Sequence, residues 1–197
     1  MGHNEERRGP RNGHLLWKYE GVGEAHSSVS GGSVSARGVL YVHSAPAALC
    51  PHVEWAVAGV VGVPVKLDWE PQPAAPNTYR AELNWQGAPG LSAAIASALR
   101  GWQRLRYEIT EDATPGCDGV RYSYTPTLGF FSAVTSASGE VLVSEARLRD
   151  AMERAAAQGL DLAEEIDKLL GRAWDEELEP FRYAGEGAPV RWLHATG

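Results

Sequence analysis

From residue 37 onward the apolar positions switch between a period of two and a helical period, and the switches mark out the elements. Residues 39–43 form a short β-rich run. Leu49, Val53, Val57 and Val60 then fall at helical spacing, so a helix is predicted from Pro51 to about Val61, with Gly62 and Pro64 punctuating its end. Residues 65–69 read as the next strand, and residues 70–77 as a Pro-rich loop. Residues 79–85 alternate and predict a third strand. The Gly87-Ala88-Pro89-Gly90 turn leads into a second helix over residues 91–99, with Leu91, Ile95, Ala98 and Leu99 inward. Residues 104–110 predict a fourth strand, with Leu105, Tyr107 and Ile109 on one face.

This order, β-α-β-β-α-β, is that of a ferredoxin-like split unit. It also reads as an internal duplication. His43-Ser44-Ala45-Pro46-Ala47-Ala48-Leu49 corresponds to Gln86-Gly87-Ala88-Pro89-Gly90-Leu91 with one residue missing, and Asp68 and Glu108 fall on corresponding strands. Strands at residues 120–125 and 130–135 follow, and Ser138-Gly139 makes a hairpin turn into residues 140–143. Ser144 is placed to cap a helix reaching Gln158 and stopped by Gly159. Asp161 and Glu164 make a capping-box-like start for a longer helix. Its buried face would carry Leu162, Ile166, Leu169, Leu170, Trp174, Leu178 and Phe181, and Pro180 would end it. Residues 188–194 alternate as a last strand. The expectation is a single α+β domain over residues 37–197. Its ferredoxin-like core is extended by a β-hairpin and two C-terminal helices, and it follows a disordered Gly/Ser-rich extension, residues 1–36.

Composition narrows the function classes. At 197 residues and 44% apolar, the chain can bury one sizeable core. No apolar run approaches the ~18–20 residues that span a bilayer, and the polar N-terminus lacks a secretory h-region. Cys50 and Cys117 make at most one bridge, so a cytoplasmic setting is the default. The net charge of -7 resides mostly in residues 144–187, where twelve Asp/Glu face six Arg/Lys. That balance argues against a nucleic-acid partner, which needs a basic surface, and no membrane partner is expected. Dinucleotide, phosphate-loop, serine-elbow and zinc-protease motifs are all missing.

Candidate chemistry concentrates in residues 39–55. If Pro51 opens the helix, Cys50 stands at its N-cap, where unpaired N–H groups and the helix dipole favour thiolate. With His43 or His52 as base this outlines a thiol nucleophile. Glu54 and Trp55 follow on the same helix as ligand- or partner-binding candidates. The spacing Cys-x-His-x-Glu matches no zinc pattern, so neither metal nor cofactor is expected. A second cluster, Trp174-Asp175-Glu176-Glu177, sets acidic charge at a helix C-terminus against the dipole. It is read as a partner-binding candidate against the plainer alternative of a solvated helix face.

Four blocks together carry a family likeness. They are Arg37-Gly38-Val39-Leu40-Tyr41-Val42-His43-Ser44-Ala45-Pro46, Leu49-Cys50-Pro51-His52-Val53-Glu54-Trp55, Ser97-Ala98-Leu99-Arg100-Gly101-Trp102 and Ala173-Trp174-Asp175-Glu176-Glu177-Leu178-Glu179-Pro180-Phe181-Arg182. In these the chain resembles the actinobacterial domain-of-unknown-function family 3145, from about residue 36 to the C-terminus. Members of that family begin near the position of Ala36, which makes residues 1–35 an extension or the product of an upstream start. The resemblance implies an actinobacterial cytoplasmic protein with an accessory role beside type II fatty-acid synthesis, and it supplies no catalytic residues. Two functions are therefore expected to compete. One is a non-catalytic module that binds a protein or small molecule. The other is a thiol enzyme acting on an acyl thioester through Cys50. An acidic carrier protein would have to be met through Arg80, Arg100, Arg104 and Arg106 rather than through the acidic cluster.

Overall fold

Strand β1 (Ala36–Pro46) is paired along both edges, and the rest of the chain is arranged on either side of it. The structure, a computed structural model, describes residues 34–183. The other strands are β2 (Glu70–Pro71), β3 (Thr78–Gly87), β4 (Arg106–Glu111), β5 (Gly119–Thr125), β6 (Gly129–Thr135) and β7 (Val141–Leu142). They form one seven-stranded sheet in the order β2-β3-β1-β4-β5-β6-β7, antiparallel throughout. The register lines up Leu83, Leu40, Ile109 and Tyr122 on one face, and Glu82, Tyr41, Glu108, Ser123 and Phe131 on the other.

The first face is covered by α1 (Cys50–Val61) and α2 (Leu91–Leu99). Leu40, Val42, Tyr107 and Ile109 meet Val53 and Val57 of α1 and Ile95 and Leu99 of α2, all fully buried. Each such aliphatic side chain contributes about 1.5–3 kcal/mol. Gly38 is required here: a Cβ would lie 2.3 Å from the Trp85 ring and 1.9 Å from the Thr110 carbonyl oxygen. The N-terminus of α2 has no capping side chain of its own, because Gly90 occupies the cap. Glu111 supplies the cap from β4, accepting from Gly90 N at 2.7 Å, Ser92 N at 3.1 Å and Ser92 Oγ at 2.5 Å.

The second face is covered by the last of three C-terminal helices, α3 (Glu145–Gln158), α4 (Leu162–Leu170) and α5 (Arg172–Tyr183). Ser144 and Asp161 cap α3 and α4 as their sequence positions predict, and Gly159 ends α3. The single long helix expected from Asp161 is instead two. Gly171 takes the left-handed conformation (φ 81°) that closes α4, and its missing Cβ leaves room for the Phe131 ring. Pro180 does not end α5 but lies inside it. The strands expected at residues 120–125 and 130–135 pair as β5 and β6, and the expected turn at Ser138-Gly139 leads into β7, which pairs with β6 over Val141–Leu142. Of the strand expected at residues 65–69 only the adjoining Glu70–Pro71 pairs with β3. The extension at residues 1–33 and the strand at residues 188–194 lie outside the described residues.

Candidate functional site

Beneath α5, the second face of the sheet holds a closed ionic centre. Alternation along β4 directs Tyr107 and Ile109 into the apolar core and Glu108 to the opposite side, where its side chain is 0% exposed. Its carboxylate accepts from His43 Nε2 at 2.7 Å, Arg121 Nη2 at 3.1 Å, Ser123 Oγ at 3.2 Å, Arg182 Nε at 2.9 Å and Arg182 Nη2 at 2.6 Å. Burial alone would raise the Glu108 pKa. The hydrogen bonds and charges of His43 and Arg182 outweigh it and hold the carboxyl well below the usual carboxylate range. Asp175 closes the network, accepting from Arg182 Nη2 at 2.8 Å and pairing with Arg121. Gln72 ties the rim together, donating to His43 O at 2.7 Å and to Phe181 O at 3.2 Å.

This arrangement relocates the acidic cluster. Asp175, Leu178 and Arg182 share one helical stripe, and that stripe faces the sheet. Trp174 stacks on Phe131 with ring centroids 5.0 Å apart and donates Nε1–H to Gly129 O at 2.9 Å. Glu177 accepts from Thr125 Oγ1 at 2.8 Å and pairs with Arg106 at 3.4 Å. Glu176 alone of the four is turned outward, onto Arg172. The run is a packed interface between helix and sheet, so most of its polar atoms are already engaged within the chain.

Residues 39–55 divide between the two faces. His43 belongs to the ionic centre, stacked beside Tyr41 at 6.0 Å. Cys50 belongs to the apolar core on the other side of the sheet, with Val53 and Val57. A 3-10 turn over Ala47–Leu49 runs directly into α1, so Leu49 is the N-cap and Cys50 the first helical residue, with Pro51 next. Cys50 Sγ donates to Pro46 O at 3.6 Å, and burial pushes the thiol pKa up, with Glu54 adding to the rise. His52 is exposed and meets Trp102 edge-on, with ring centroids 6.3 Å apart. The sheet therefore separates Cys50 from His43.

Glu54 turns inward and fastens the segment after α1. It accepts from Leu67 N at 3.0 Å, Lys66 Nζ at 3.0 Å and Trp69 Nε1 at 3.2 Å. The Leu67 amide in particular lowers its pKa. Trp55, one residue on, is 76% exposed. Beyond it the helix offers bare surface, since a Cβ at Gly59 would meet nothing within 4 Å. Among the described residues, no group of three or more His, Cys, Asp or Glu is arranged to hold a metal ion, and no helix is long and apolar enough to cross a membrane.

The sequence pattern does not single out Glu108, Arg121, Arg182 or Gln72 as site residues. Their signal was faint: Glu108 alternates with apolar neighbours, as a solvent-facing strand residue does. Only the knowledge that α5 covers that face turns the alternation into burial.

The fold and these sites define a mixed α+β protein with a largely buried ionic centre on one side and an exposed aromatic helix face on the other. The model of a family described as "Protein of unknown function (DUF3145)" matches residues 39–195, and the chain belongs to that family. No curated protein and no solved structure matches the chain.

Proposed function

We propose that the chain is a non-catalytic accessory module that binds a protein partner through the exposed face of α1. The observation that carries this reading is Trp55, 76% exposed at the middle of the twelve-residue helix α1. Tryptophan is enriched among the residues that dominate interface energetics, and its large apolar surface gains most from being covered. The partner-binding roles considered for Asp175 and Glu177 draw less support, because both are bonded inside the chain. The thiol-enzyme alternative is weakened by a buried Cys50 with a raised pKa and a candidate base, His43, across the sheet.

Two finer readings belong with this proposal. The first four strands and two helices read as a ferredoxin-like duplication, supported by the order β2-β3-β1-β4 with α1 and α2 on one face. Such folds serve as binding modules, which is an analogy of fold only. The family likeness implies an actinobacterial cytoplasmic setting and an accessory role near fatty-acid synthesis, where a protein partner is the natural expectation.

The test is site-specific crosslinking. A photoreactive residue in place of Gly59, beside Trp55, should give one dominant adduct in the native lysate, and Trp55→Ala should abolish it. If the adduct is unchanged in Trp55→Ala, or the label yields no adduct while one placed on α3 does, the α1 face is not the binding surface.

A further inference from the structure

The layer formed by α1 and α2 carries almost no charge, and the turns that follow it add two arginines. The whole protein carries -7. Yet α2 has no charged residue, and the single acid of α1, Glu54, is turned inward and paired with Lys66. Two tight turns follow α2, closed by Trp102 N to Leu99 O at 3.3 Å and Leu105 N to Trp102 O at 3.1 Å. Arg100 and Arg104 stand at the corners of these turns, both exposed, and no carboxylate of the described residues pairs with either. Arg100 rests over the Phe130 ring at 5.4 Å, which holds its guanidinium in place without neutralising it. Between the two arginines, Trp102 packs half-buried against the core and meets His52 edge-on. His52 and Trp55 lie three residues apart, on one side of α1. Aromatic surface and positive charge that pairs with no described carboxylate are thus contiguous, in a chain whose net charge is -7.

We propose that this surface, Trp55–His52–Trp102 flanked by Arg100 and Arg104, receives an amphipathic helix of an acidic protein. The inference rests on the reading of α1 as the docking face and adds the chemistry of the partner. An apolar stripe on that helix would cover Trp55 and the edge of Trp102, and its flanking carboxylates would meet the two guanidinium groups. Arginine suits this role because its planar fork binds carboxylates at two points. The acidic C-terminal helices would repel the same partner elsewhere, so the charge pattern also fixes where it lands. A polynucleotide is the less fitting anion: two arginines offer little counterion release against a net charge of -7.

The test uses the full chain and two synthetic helical peptides with the same Leu/Ile stripe, one flanked by Glu and one by Lys, with anisotropy as the readout. The Glu peptide should bind about 10-fold more tightly than the Lys peptide at low salt, and added salt should erase the difference. Arg100→Glu/Arg104→Glu should reverse the preference, and Arg100→Ala/Arg104→Ala should abolish it. Trp55→Ala should weaken both peptides. Equal binding of the two peptides, still sensitive to Trp55→Ala, would overturn the acidic partner and leave the docking face standing. Binding indifferent to Trp55→Ala, or no binding of either peptide, would overturn both. A single-stranded oligonucleotide that displaces the Glu peptide in an arginine-dependent way would overturn the protein partner in favour of nucleic acid.

Discussion

Arg182, in the last turn of α5, and Glu108, at the middle of β4, form a two-point ion pair at 2.9 and 2.6 Å, with Glu108 wholly buried. The pair joins residues 74 positions apart and fixes the C-terminal helix to the centre of the sheet. Glu108→Gln removes the buried carboxylate that Arg121 and Arg182 share, while both still pair with Asp175 and Arg182 also with Glu179 at 3.6 Å. Removing one partner of a buried pair costs about 3–5 kcal/mol, and that is the loss expected in urea unfolding. The paired change Glu108→Leu/Arg182→Met removes charge in balance and should recover about half of that loss. A loss below about 1 kcal/mol for Glu108→Gln would mean that solvent reaches the centre.

The same pair sets the acid limb of the stability curve. The folded pKa of Glu108 is lowered, so its contribution is fully present above the unfolded value, ~4.3, and is lost as pH falls towards the folded value. Below pH ~4.3 the unfolded chain binds a proton that the folded chain refuses, and stability should fall by up to about 1.4 kcal/mol per pH unit from this group. Glu54, also lowered, acts in the same direction. Urea midpoints measured between pH 7 and 3 should show the decline, and Glu108→Gln should flatten it. An unchanged slope in that variant would assign the acid limb to other carboxylates.

Much of this architecture was legible from periodicity, and the failures have physical causes. The caps at Ser144 and Asp161 and the stop at Gly159 are local devices, and local sequence identified them. Gly171 gives no break signal in the pattern because apolar spacing continues across it from Leu170 to Trp174; what leaves no room for a Cβ there is Phe131, forty residues earlier in the chain. The sequence points to Cys50 as the N-cap because Pro51 suits the first helical position. The 3-10 turn before it, Ala47–Leu49, shifts the helix start by one residue and turns the thiol into the core. The ionic centre was hidden because its members come from β1, β4, β5 and α5, and no segment contains enough of them to stand out.

Thiol chemistry separates the two cysteines. Cys50 is buried, bonded to Pro46 O and raised in pKa, whereas Cys117 is exposed in a turn. In the native protein iodoacetamide should label Cys117 readily, and should reach Cys50 only in denaturant or well above the ordinary thiol pKa of ~8.5. Mass spectrometry of Cys117→Ser gives the Cys50 rate without interference. Rapid labelling of Cys50 at pH 6–7 would revive the thiol-enzyme reading and count against a non-catalytic module.

Two glycines with the same backbone conformation provide a controlled comparison. Gly159 and Gly171 close successive helices with φ of 65° and 81°. A Cβ on Gly159 meets nothing within 4 Å, while one on Gly171 would lie 2.5 Å from the Phe131 ring. Gly159→Ala therefore carries the left-handed penalty alone, about 1–2 kcal/mol. Gly171→Ala adds overpacking against a ring that is itself held by Trp174, and should cost about 2–5 kcal/mol in total. Phe131→Leu removes the edge of the ring that the new methyl would strike. In that background the added cost of Gly171→Ala should shrink towards that of Gly159→Ala, as read from a double-mutant cycle of urea midpoints. If the two glycine substitutions cost the same in the unmodified chain, α5 is free to shift off Phe131. The ionic centre beneath it would then be held by Arg182 and Asp175 without help from the helix junction.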